Sequence, residues 1–548
     1  MRLRIWLAGA AFAACAWAQG VPKDMCAPPP GSVPPSLPAR LLSGQGTIDF
    51  PITTSSKEAQ AFFNQGVAQM HSFWATEAER SFLQAARLDP EAPMPHWGIA
   101  MVAAGDYRPR FQLERDTGAS GRNEKPKPVS RQPSTGGRAR AEDAVRKALE
   151  LSAVPGKATE LEKLYVAAIA ARRDANQADP DAAYVAGLRA ILAAYPDQVE
   201  AKSYLALHLM RGFTTPEKRP REGSMEAAAL LRELMRDAPD HAGVHHYVIH
   251  GFEGSTFAED AWESCRRYPE LADNIPHALH MPGHVWAQTG KWREAVDSFE
   301  TAAANERKWM ASDSLYGAGH HGHNVHFLAS SYAFLGEHDK AMAAARELLG
   351  IAETPREAAQ IDNFRTAYRQ GWFATLVALV HAERWDLLLD GQTLPAYDKP
   401  RERAWRHWAE GLAYAVQGDR RSAKRSAKSM DRAMKELGKK TGTLPPALAA
   451  ARKELEAHVV FHSGKQARGF ALFEQASRME RALRYNEPPS YPRPVAEAWG
   501  RKAMAGGRHD MAEKAFRIAL EQFPDMKRAR EGLAQAQRGE GAPVPSGN

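Results

Sequence analysis

The sequence predicts an all-α fold, a solenoid in which helical hairpins repeat along the chain. Two observations lead to this fold class. Small and bulky residues recur at fixed positions of a unit of about 34 residues, and helical patterns dominate from residue 56 onward. The length of 548 residues exceeds what one compact core usually supports. A repeat array avoids that limit because each unit packs only on its neighbours.

The repeating unit is clearest near the start of the helical region. Gly66, Ala78, Phe82, Ala85 and Pro90 occupy positions 8, 20, 24, 27 and 32 of one unit. Small residues let two helices approach closely, bulky residues fill the space between them, and the proline ends the second helix. Six further units in this frame include Ala227, Gly283, Gly336, Gly411, Gly464 and Gly500. This pattern is typical of tetratricopeptide (TPR) repeats.

The N-terminus has the features of an export signal. Two arginines precede a short apolar run, and Ala16-Trp17-Ala18 matches a cleavage site. We therefore predict a signal peptide over residues 1–18 and an exported protein, periplasmic or secreted. Residues 12–15 offer an alternative, because they resemble a bacterial lipobox that would place a lipid anchor at Cys15. No other membrane attachment is predicted.

Changes of composition and period divide the rest of the chain. The segments expected are a Pro-rich leader at 19–55, an N-terminal TPR array at 56–350 with an insert at 106–140, a second TPR array at 351–537, and a disordered tail at 538–548. Export would permit a disulfide between Cys26 and Cys265. Two separate thiols are an equal alternative, since the sequence does not place the two residues together.

Composition argues against several functions. The formal net charge of +7 at pH 7 is small for this length, and no predicted face concentrates the basic residues, so we expect no nucleic-acid partner. We find no Ser-His-Asp order, phosphate-binding loop or dinucleotide fingerprint in the sequence. The functional signal must come from elsewhere.

Histidines concentrate in one part of the chain. Eleven of the 20 histidines lie between residues 241 and 326, although proportion alone would place about three there. In the first of three clusters, His246, His250 and Glu253 are spaced at i, i+4 and i+7 and share one helix face. Two imidazoles one turn apart can bind one metal ion. Glu253 could bind the ion, orient an imidazole or act as a base.

The other two clusters have the same character. His277, His280 and His284 are spaced at i, i+3 and i+7, which again places them on one helix face. His323 and His326 share a face of a third predicted helix. The repeat frame assigns each cluster to the first helix of its unit, and first helices of TPR units line the concave groove. Neighbouring helices pack about 8 to 10 Å apart, so their imidazoles can reach one ion.

These patterns predict a metal site in the groove. The predicted ligands are His246, His250, His277, His280, His284, His323 and His326, and the residues predicted to orient them are Tyr247, Glu253 and Asn324. Mostly nitrogen ligands favour zinc, copper or iron over calcium or magnesium. The histidines set aside as structural are His241 and His320 within the block, and His71, His96, His208, His338, His381, His407, His458, His462 and His509 elsewhere.

Other functions fit the same residues. The block could form a neutral hydrogen-bond network or a groove for acidic ligands. The solenoid could be a scaffold that captures a peptide or protein partner in its concave groove without metal. It could also be a metal-dependent hydrolase or oxidase in which Glu253 or His323 handles protons.

The three clusters resemble signatures of a known group of proteins. Segments 246–250, 277–284 and 323–328 are similar to the His-Tyr-Tyr-Ile-His, His-Met-Pro-Ser-His and His-Asn-x-His-Phe-Leu signatures of a group of bacterial TPR-domain proteins. Val248 and Gly283 stand where that group has Tyr and Ser. The resemblance covers about residues 56–349. It implies the TPR fold and a joint role for these positions, and it implies no particular reaction.

Overall fold

The computed structural model describes residues 39–105, 107, 137–312, 316–361, 363–483 and 486–539. Within these ranges the chain forms 24 α-helices and no β-strand, which confirms the all-α fold class. The first twelve helices are α1 (Lys57–His71), α2 (Ala75–Leu88), α3 (Met94–Ala103), α4 (Gly137–Ser152), α5 (Glu160–Arg173), α6 (Pro180–Ala194), α7 (Val199–Leu209), α8 (Ser224–Asp237), α9 (Ala242–Phe252), α10 (Trp262–Leu271), α11 (Pro276–Gln288) and α12 (Trp292–Ser312).

The remaining twelve helices complete the described chain. They are α13 (Gly319–Leu335), α14 (His338–Leu349), α15 (Pro355–Ala359), α16 (Ala367–Ala382), α17 (Trp385–Leu389), α18 (Pro400–Val416), α19 (Arg420–Thr441), α20 (Pro446–Phe461), α21 (Gln466–Arg481), α22 (Val495–Ala505), α23 (His509–Gln522) and α24 (Lys527–Arg538). No helix among the described residues has the length and apolar character needed to cross a bilayer.

Close contacts between glycine and phenylalanine set the spacing of the hairpins. A Cβ atom on Gly66 of α1 would lie 2.6 Å from the ring of Phe82 on α2, and one on Gly283 of α11 would lie 2.3 Å from the ring of Phe299 on α12. These are positions 8 and 24 of the predicted repeat. The ring takes the volume that any side chain at position 8 would need. The same contact accounts for glycine at 283.

The N-terminal hairpin fills the concave side of the first array. Trp74, at the start of α2, meets Trp309 of α12 edge to face, with ring centroids 5.0 Å apart. Tyr316 donates its hydroxyl hydrogen to Glu77 at 2.6 Å, and Phe73 packs on His246 of α9. The sequence predicts a concave groove here. Its histidine-bearing helices are covered, because α1 and α2 reach α9 and α12.

The second array returns to contact the first. The indole N–H of Trp292 donates to the carbonyl oxygen of Pro524 at 2.8 Å. Phe334 of α13 stacks on Phe523 with ring centroids 4.9 Å apart. These two contacts join segments separated by more than a hundred residues, so the two arrays form one packed body. Within the second array, Glu383, which follows α16, accepts a hydrogen bond from Arg501 of α22 at 2.9 Å.

The structure describes parts of two predicted segments. Of the insert predicted at 106–140, the last four residues belong to α4, which begins at Gly137, and Arg140 is held by Glu79 at 2.9 Å. The leader predicted at 19–55 is packed over its described part, where the backbone N–H of Leu42 donates to Gln65 at 2.7 Å. The predicted signal peptide, Cys15, Cys26 and residues 540–548 of the predicted tail lie outside the described residues.

Candidate metal centre

The three histidine clusters lie on α9, α11 and α13, the first helices of three successive hairpins, as the repeat frame predicts. All seven predicted ligand residues are buried, and none is more than 8 % exposed. Phe73 covers this surface from the α1–α2 connection, with its ring centroid 4.5 Å from that of His246. The imidazoles therefore meet in a closed core and depend on one another, or on nearby polar groups, for hydrogen bonds.

His246, His250 and His277 form the first three-histidine group, called site A below. One ligand atom from each lies within 4.8 Å of the other two. His246 donates from Nδ1 to the backbone carbonyl of His71 at 2.5 Å. Its Nε2 lies 3.1 Å from Nε2 of His277. The group joins α9 to α11, and its spacing is suited to a single metal ion.

His280, His284 and His323 form the second group, called site B below, and their ligand atoms also lie within 4.8 Å of one another. The Nε2 atoms of His280 and His284 are 2.7 Å apart. His280 donates from Nδ1 to the side-chain oxygen of Asn324 at 2.8 Å. Asn324 in turn donates to the Phe299 carbonyl at 2.9 Å, which fixes its orientation. The structure therefore brings six of the seven predicted ligands into two groups.

The seventh predicted ligand lies elsewhere. His326 faces α16, where its Nδ1 is 3.4 Å from the side-chain oxygen of Gln370 and its ring meets Phe373 edge to face. Helix α13 lies between α11 and α16, and its two flanks meet different neighbours. Spacing along the sequence placed His323 and His326 on one face, but the side chains diverge across that face and reach different helices.

His320, which the sequence analysis sets aside, lies between the two sites. Its ring centroid is 5.0 Å from that of His280 and 5.6 Å from that of His277. Its Nδ1 pairs with the buried carboxylate of Glu306. The spacing of three residues between His320 and His323 was the signal that could have identified it.

Two carboxylates complete the core. Glu253 Oε2 lies 3.6 Å from His250 Nδ1 and 3.8 Å from His284 Nδ1. Burial opposes its ionised form, but the contacts with His250 and His284 hold the pKa of Glu253 well below its ordinary value. Glu487, from the segment between α21 and α22, pairs with His284 Nδ1. Burial and the charge of Glu253 raise the pKa of Glu487 to about 7. No sequence pattern indicates Glu487, because it lies in the second array, far from the histidines along the chain.

Burial governs the protonation of the imidazoles. It lowers the pKa of His246, His277, His280 and His323 well below the ordinary value, and neighbouring histidines add to the effect. His284 behaves differently. Burial again favours its neutral form, but Glu487 and Glu253 outweigh burial and raise the pKa of His284 to about 9. Four rings are therefore neutral at pH 7 and available as ligands, and His284 holds an extra proton.

A third group contains residues that the sequence analysis sets aside. Glu200 lies between His71 and His241, and its carboxylate contacts Nε2 of both rings. The Tyr247 hydroxyl lies 2.9 Å from His71 Nδ1, and the Val244 N–H donates to His241 Nδ1 at 3.2 Å. Tyr247 therefore orients His71 and not one of the predicted ligands. One ligand atom from each of His71, Glu200 and His241 lies close enough to the other two for a metal ion.

Comparison with known proteins supports the repeat assignment. The tetratricopeptide repeat family profile matches residues 324–355, which include most of α13 and all of α14. No curated protein matches the chain. The repeat match lies on the hairpin that carries the third histidine cluster.

Three solved structures align with most of this chain at low identity and low TM-score. The P58(IPK) TPR domain is 13% identical, with 88% of this chain and 98% of that chain covered and a TM-score of 0.23. The APC/C hetero-tetramer Cut9-Hcn1 is 12% identical, with 88% and 90% covered and a TM-score of 0.28. The human IFIT1 dimer with m7Gppp-AAAA is 11% identical, with 89% and 91% covered and a TM-score of 0.30. Likeness at this level has no bearing on ligand or partner.

Proposed function

We propose that this tetratricopeptide-repeat protein binds a transition-metal ion at site B, through the imidazoles of His280, His284 and His323. The observation that carries the proposal is the distance of 2.7 Å between the Nε2 atoms of His280 and His284. Their Nδ1 atoms are engaged by Asn324 and Glu487, respectively. Two ring nitrogens thus face one another in a buried place, and a cation between them would satisfy both.

A row of hydrogen-bonding groups passes through site B, and it has one hydrogen fewer than it has contacts. It has three contacts: Glu487 with His284 Nδ1, His284 Nε2 with His280 Nε2, and His280 Nδ1 with the Asn324 side-chain oxygen. Each contact needs a hydrogen or another cation. With Glu487 ionised, the carboxylate and the amide oxygen only accept, and two neutral imidazoles carry two hydrogens. One further positive charge is required. Without a metal ion that charge is a proton held between His284 and Glu487, and a metal ion would replace that proton.

The third imidazole favours a metal ion over a proton as the functional occupant. A shared proton needs only two nitrogens, whereas His323 adds a third within 4.8 Å. Zinc–nitrogen bonds are about 2.0–2.1 Å long, so nitrogens on one zinc ion are at most about 4 Å apart. The Nε2 atoms of His280 and His284 lie 2.7 Å apart, closer than the roughly 3.3 Å of a tetrahedral zinc site. Binding would therefore require these two rings to separate and His323 to approach. Neutral imidazoles suit zinc, copper and iron.

Metal analysis of the full-length protein tests the proposal. We expect protein loaded separately with Zn(II), Cu(II) or Fe(II) to retain at least one of these metals after desalting. The double variant His280→Ala, His284→Ala should lose the metal at site B. His326→Ala is the matched control, because this histidine lies on α13 but faces Gln370, and it should retain the wild-type content. Wild-type protein that retains none of the three metals would contradict the proposal.

Catalysis is a second candidate function. Three protein ligands leave one position of a tetrahedral ion open for water, and the Glu253 carboxylate lies 3.8 Å from His284, where it could take up a proton. His280 is 1 % exposed, so any substrate would have to be small. Ester hydrolysis and oxygen consumption by the metal-loaded protein, compared with the His280→Ala, His284→Ala variant, distinguish a catalyst from a binding protein.

A partner and export also belong to the proposal. A repeat solenoid is an architecture suited to protein binding, and we propose a protein or peptide partner. Since α1 and α2 fill the concave side of the first array, such a partner would bind another surface. The predicted signal at residues 1–18, with its lipobox alternative at Cys15, supports export. Intact mass of the mature chain separates cleavage after Ala18 from lipid attachment at Cys15.

A further inference from the structure

A second row of hydrogen-bonding groups passes through site A. His246 Nδ1 donates to the His71 carbonyl at 2.5 Å, and His246 Nε2 faces His277 Nε2 at 3.1 Å. His277 Nδ1 lies 3.4 Å from His320 Nε2, and His320 Nδ1 pairs with Glu306. The row runs from a backbone carbonyl through three imidazoles to a carboxylate. Both of its ends are acceptors.

This row also lacks one proton. It has four contacts, and its three imidazoles carry three hydrogens unless the row binds one further proton or a metal ion. The carbonyl of His71 holds the hydrogen of His246 at Nδ1, so His246 Nε2 has a lone pair. Glu306 likewise holds the hydrogen of His320 at Nδ1, so His320 Nε2 accepts from His277 Nδ1. The Nε2 lone pairs of His246 and His277 then face one another across 3.1 Å.

In the group around Glu200 the number of hydrogens equals the number of contacts. Its row begins at the Tyr247 hydroxyl, passes through His71, Glu200 and His241, and ends at the Val244 N–H. Both ends are donors and the carboxylate lies in the middle. Four contacts have four hydrogens, so neutral histidines satisfy this row without an added cation. Proximity of ligand atoms is common to all three groups, and only sites A and B have a proton deficit.

Sites A and B are adjacent. His277 and His280 lie on the same helix, with ring centroids 6.3 Å apart. Glu253 connects the sites, since its Oε2 lies 3.6 Å from His250 Nδ1 and 3.8 Å from His284 Nδ1. Three buried carboxylates surround the two sites, namely Glu253, Glu306 and Glu487. They supply negative charge that would offset two cations in a closed core.

We infer that the histidine core is a dinuclear centre, with one transition-metal ion at site B and a second at site A. The inference rests on the proposed function, because it adds an ion beside the one proposed above. His320 and Glu306 position His277 for the second ion by fixing its hydrogen at Nδ1, and the His71 carbonyl does the same for His246. The row around Glu200 would take no metal.

Metal stoichiometry tests the inference. The full-length protein is loaded with Zn(II) alone and desalted, and zinc is counted per chain. We expect two ions in the wild type, one in His277→Ala and one in His323→Ala. His241→Gln is the matched control, because glutamine can still donate to Glu200, and it should keep two. Circular dichroism verifies the fold of each variant, and His250→Ala replaces His277→Ala should the latter fail to fold.

The outcomes separate the two proposals. A wild type that binds one zinc ion, retained in His277→Ala and lost in His323→Ala, would overturn the second site and leave the proposed function standing. A wild type that binds none of the tested metals would overturn both. Loading with Cu(II) alone adds a direct measure of proximity: we expect magnetic coupling between two copper ions in the electron paramagnetic resonance spectrum, and an uncoupled signal in His277→Ala. Two uncoupled copper ions in the wild type would overturn the dinuclear arrangement.

Discussion

At the scale of single residues, the partner of Nδ1 determines which imidazole nitrogen can bind an ion. Asn324 accepts from His280 Nδ1 at 2.8 Å, so the Nε2 lone pair of His280 remains available. In His241 the roles are reversed, because Nδ1 accepts from the Val244 N–H at 3.2 Å and Nε2 donates to Glu200 at 3.0 Å. The two side chains have the same chemistry and opposite capacity for metal.

This difference leads to a prediction for Asn324. We expect Asn324→Ala to weaken zinc binding about 10- to 100-fold, since removing the acceptor frees the ring of His280 to rotate and to move its hydrogen. Competition with a chromophoric chelator at pH 7 measures the affinity. Asn305→Ala is the control, because Asn305 donates to Asn274 at 3.2 Å and contacts neither site. Equal affinities for the two variants would show that Asn324 does not orient a ligand.

At the scale of helices, the approach of the two helices in a hairpin depends on one glycine. In the last complete unit, a Cβ atom on Gly500 of α22 would lie 2.7 Å from the ring of Phe516 on α23. Gly438 lies inside α19, and nothing is within 4 Å of a Cβ atom placed there. The two glycines are therefore a matched pair that differ in packing and share a helical setting.

We predict opposite effects of alanine at these two positions. Gly500→Ala should lower the free energy of unfolding by about 1–3 kcal/mol, because the methyl group displaces the ring of Phe516. Gly438→Ala should raise it by about 0.5–1 kcal/mol, because alanine loses less backbone entropy in a helix. Urea unfolding followed by circular dichroism measures both. Destabilisation by both substitutions to the same extent would contradict the role given to the ring.

The helix scale also marks how far sequence patterns predict this site. The assignment of the clusters to alternate helices follows from local spacing, and the structure confirms it for α9, α11 and α13. Spacing alone does not determine which neighbouring helix each imidazole contacts. His320, His323 and His326 lie on adjoining parts of α13. The first two contact His280 of α11, and the third contacts Gln370 of α16. Only the packing of neighbouring helices decides between them.

At the scale of the whole molecule, curvature brings the second array onto the first. The fold class follows from repeat spacing because each hairpin is a local structure. Curvature accumulates over many hairpins from small differences in packing, so no local pattern reports it. That is why neither the covering of the predicted groove nor the contact of Glu487 with His284 follows from the sequence.

Glu383 provides a test of the packing within the second array, where α16 meets α22 and α24. It accepts from Arg501 at 2.9 Å and lies 3.2 Å from both Arg493 and Arg528. Burial alone would raise its pKa, but the hydrogen bond from Arg501 and the charge of Arg493 lower the pKa of Glu383 to about 2. Its ionised form therefore stabilises the fold above the ordinary pKa of 4.5, and this contribution is lost as the pH falls toward about 2.

We expect Glu383→Gln to lower the free energy of unfolding at pH 7 by about 1–3 kcal/mol, because it removes charge-assisted hydrogen bonds. The difference from the wild type should shrink between pH 5 and pH 3, where the wild-type carboxylate loses its advantage. Urea unfolding at pH 7, 5 and 3 measures it. Asp386→Asn is the control, since its pair with Arg384 is exposed and should contribute nothing measurable. A difference independent of pH would contradict the electrostatic explanation.

The contact between Glu487 and His284 has a consequence for biosynthesis. During translation the histidines of α9, α11 and α13 are synthesised well before Glu487, the residue that completes the row through His284. Nascent chains would therefore spend most of translation with an unfinished core, and an ion captured early would be held without its final counter-charge. Tight retention would begin only once the last hairpins have folded back. Metal bound to this protein would then mark molecules whose synthesis is complete.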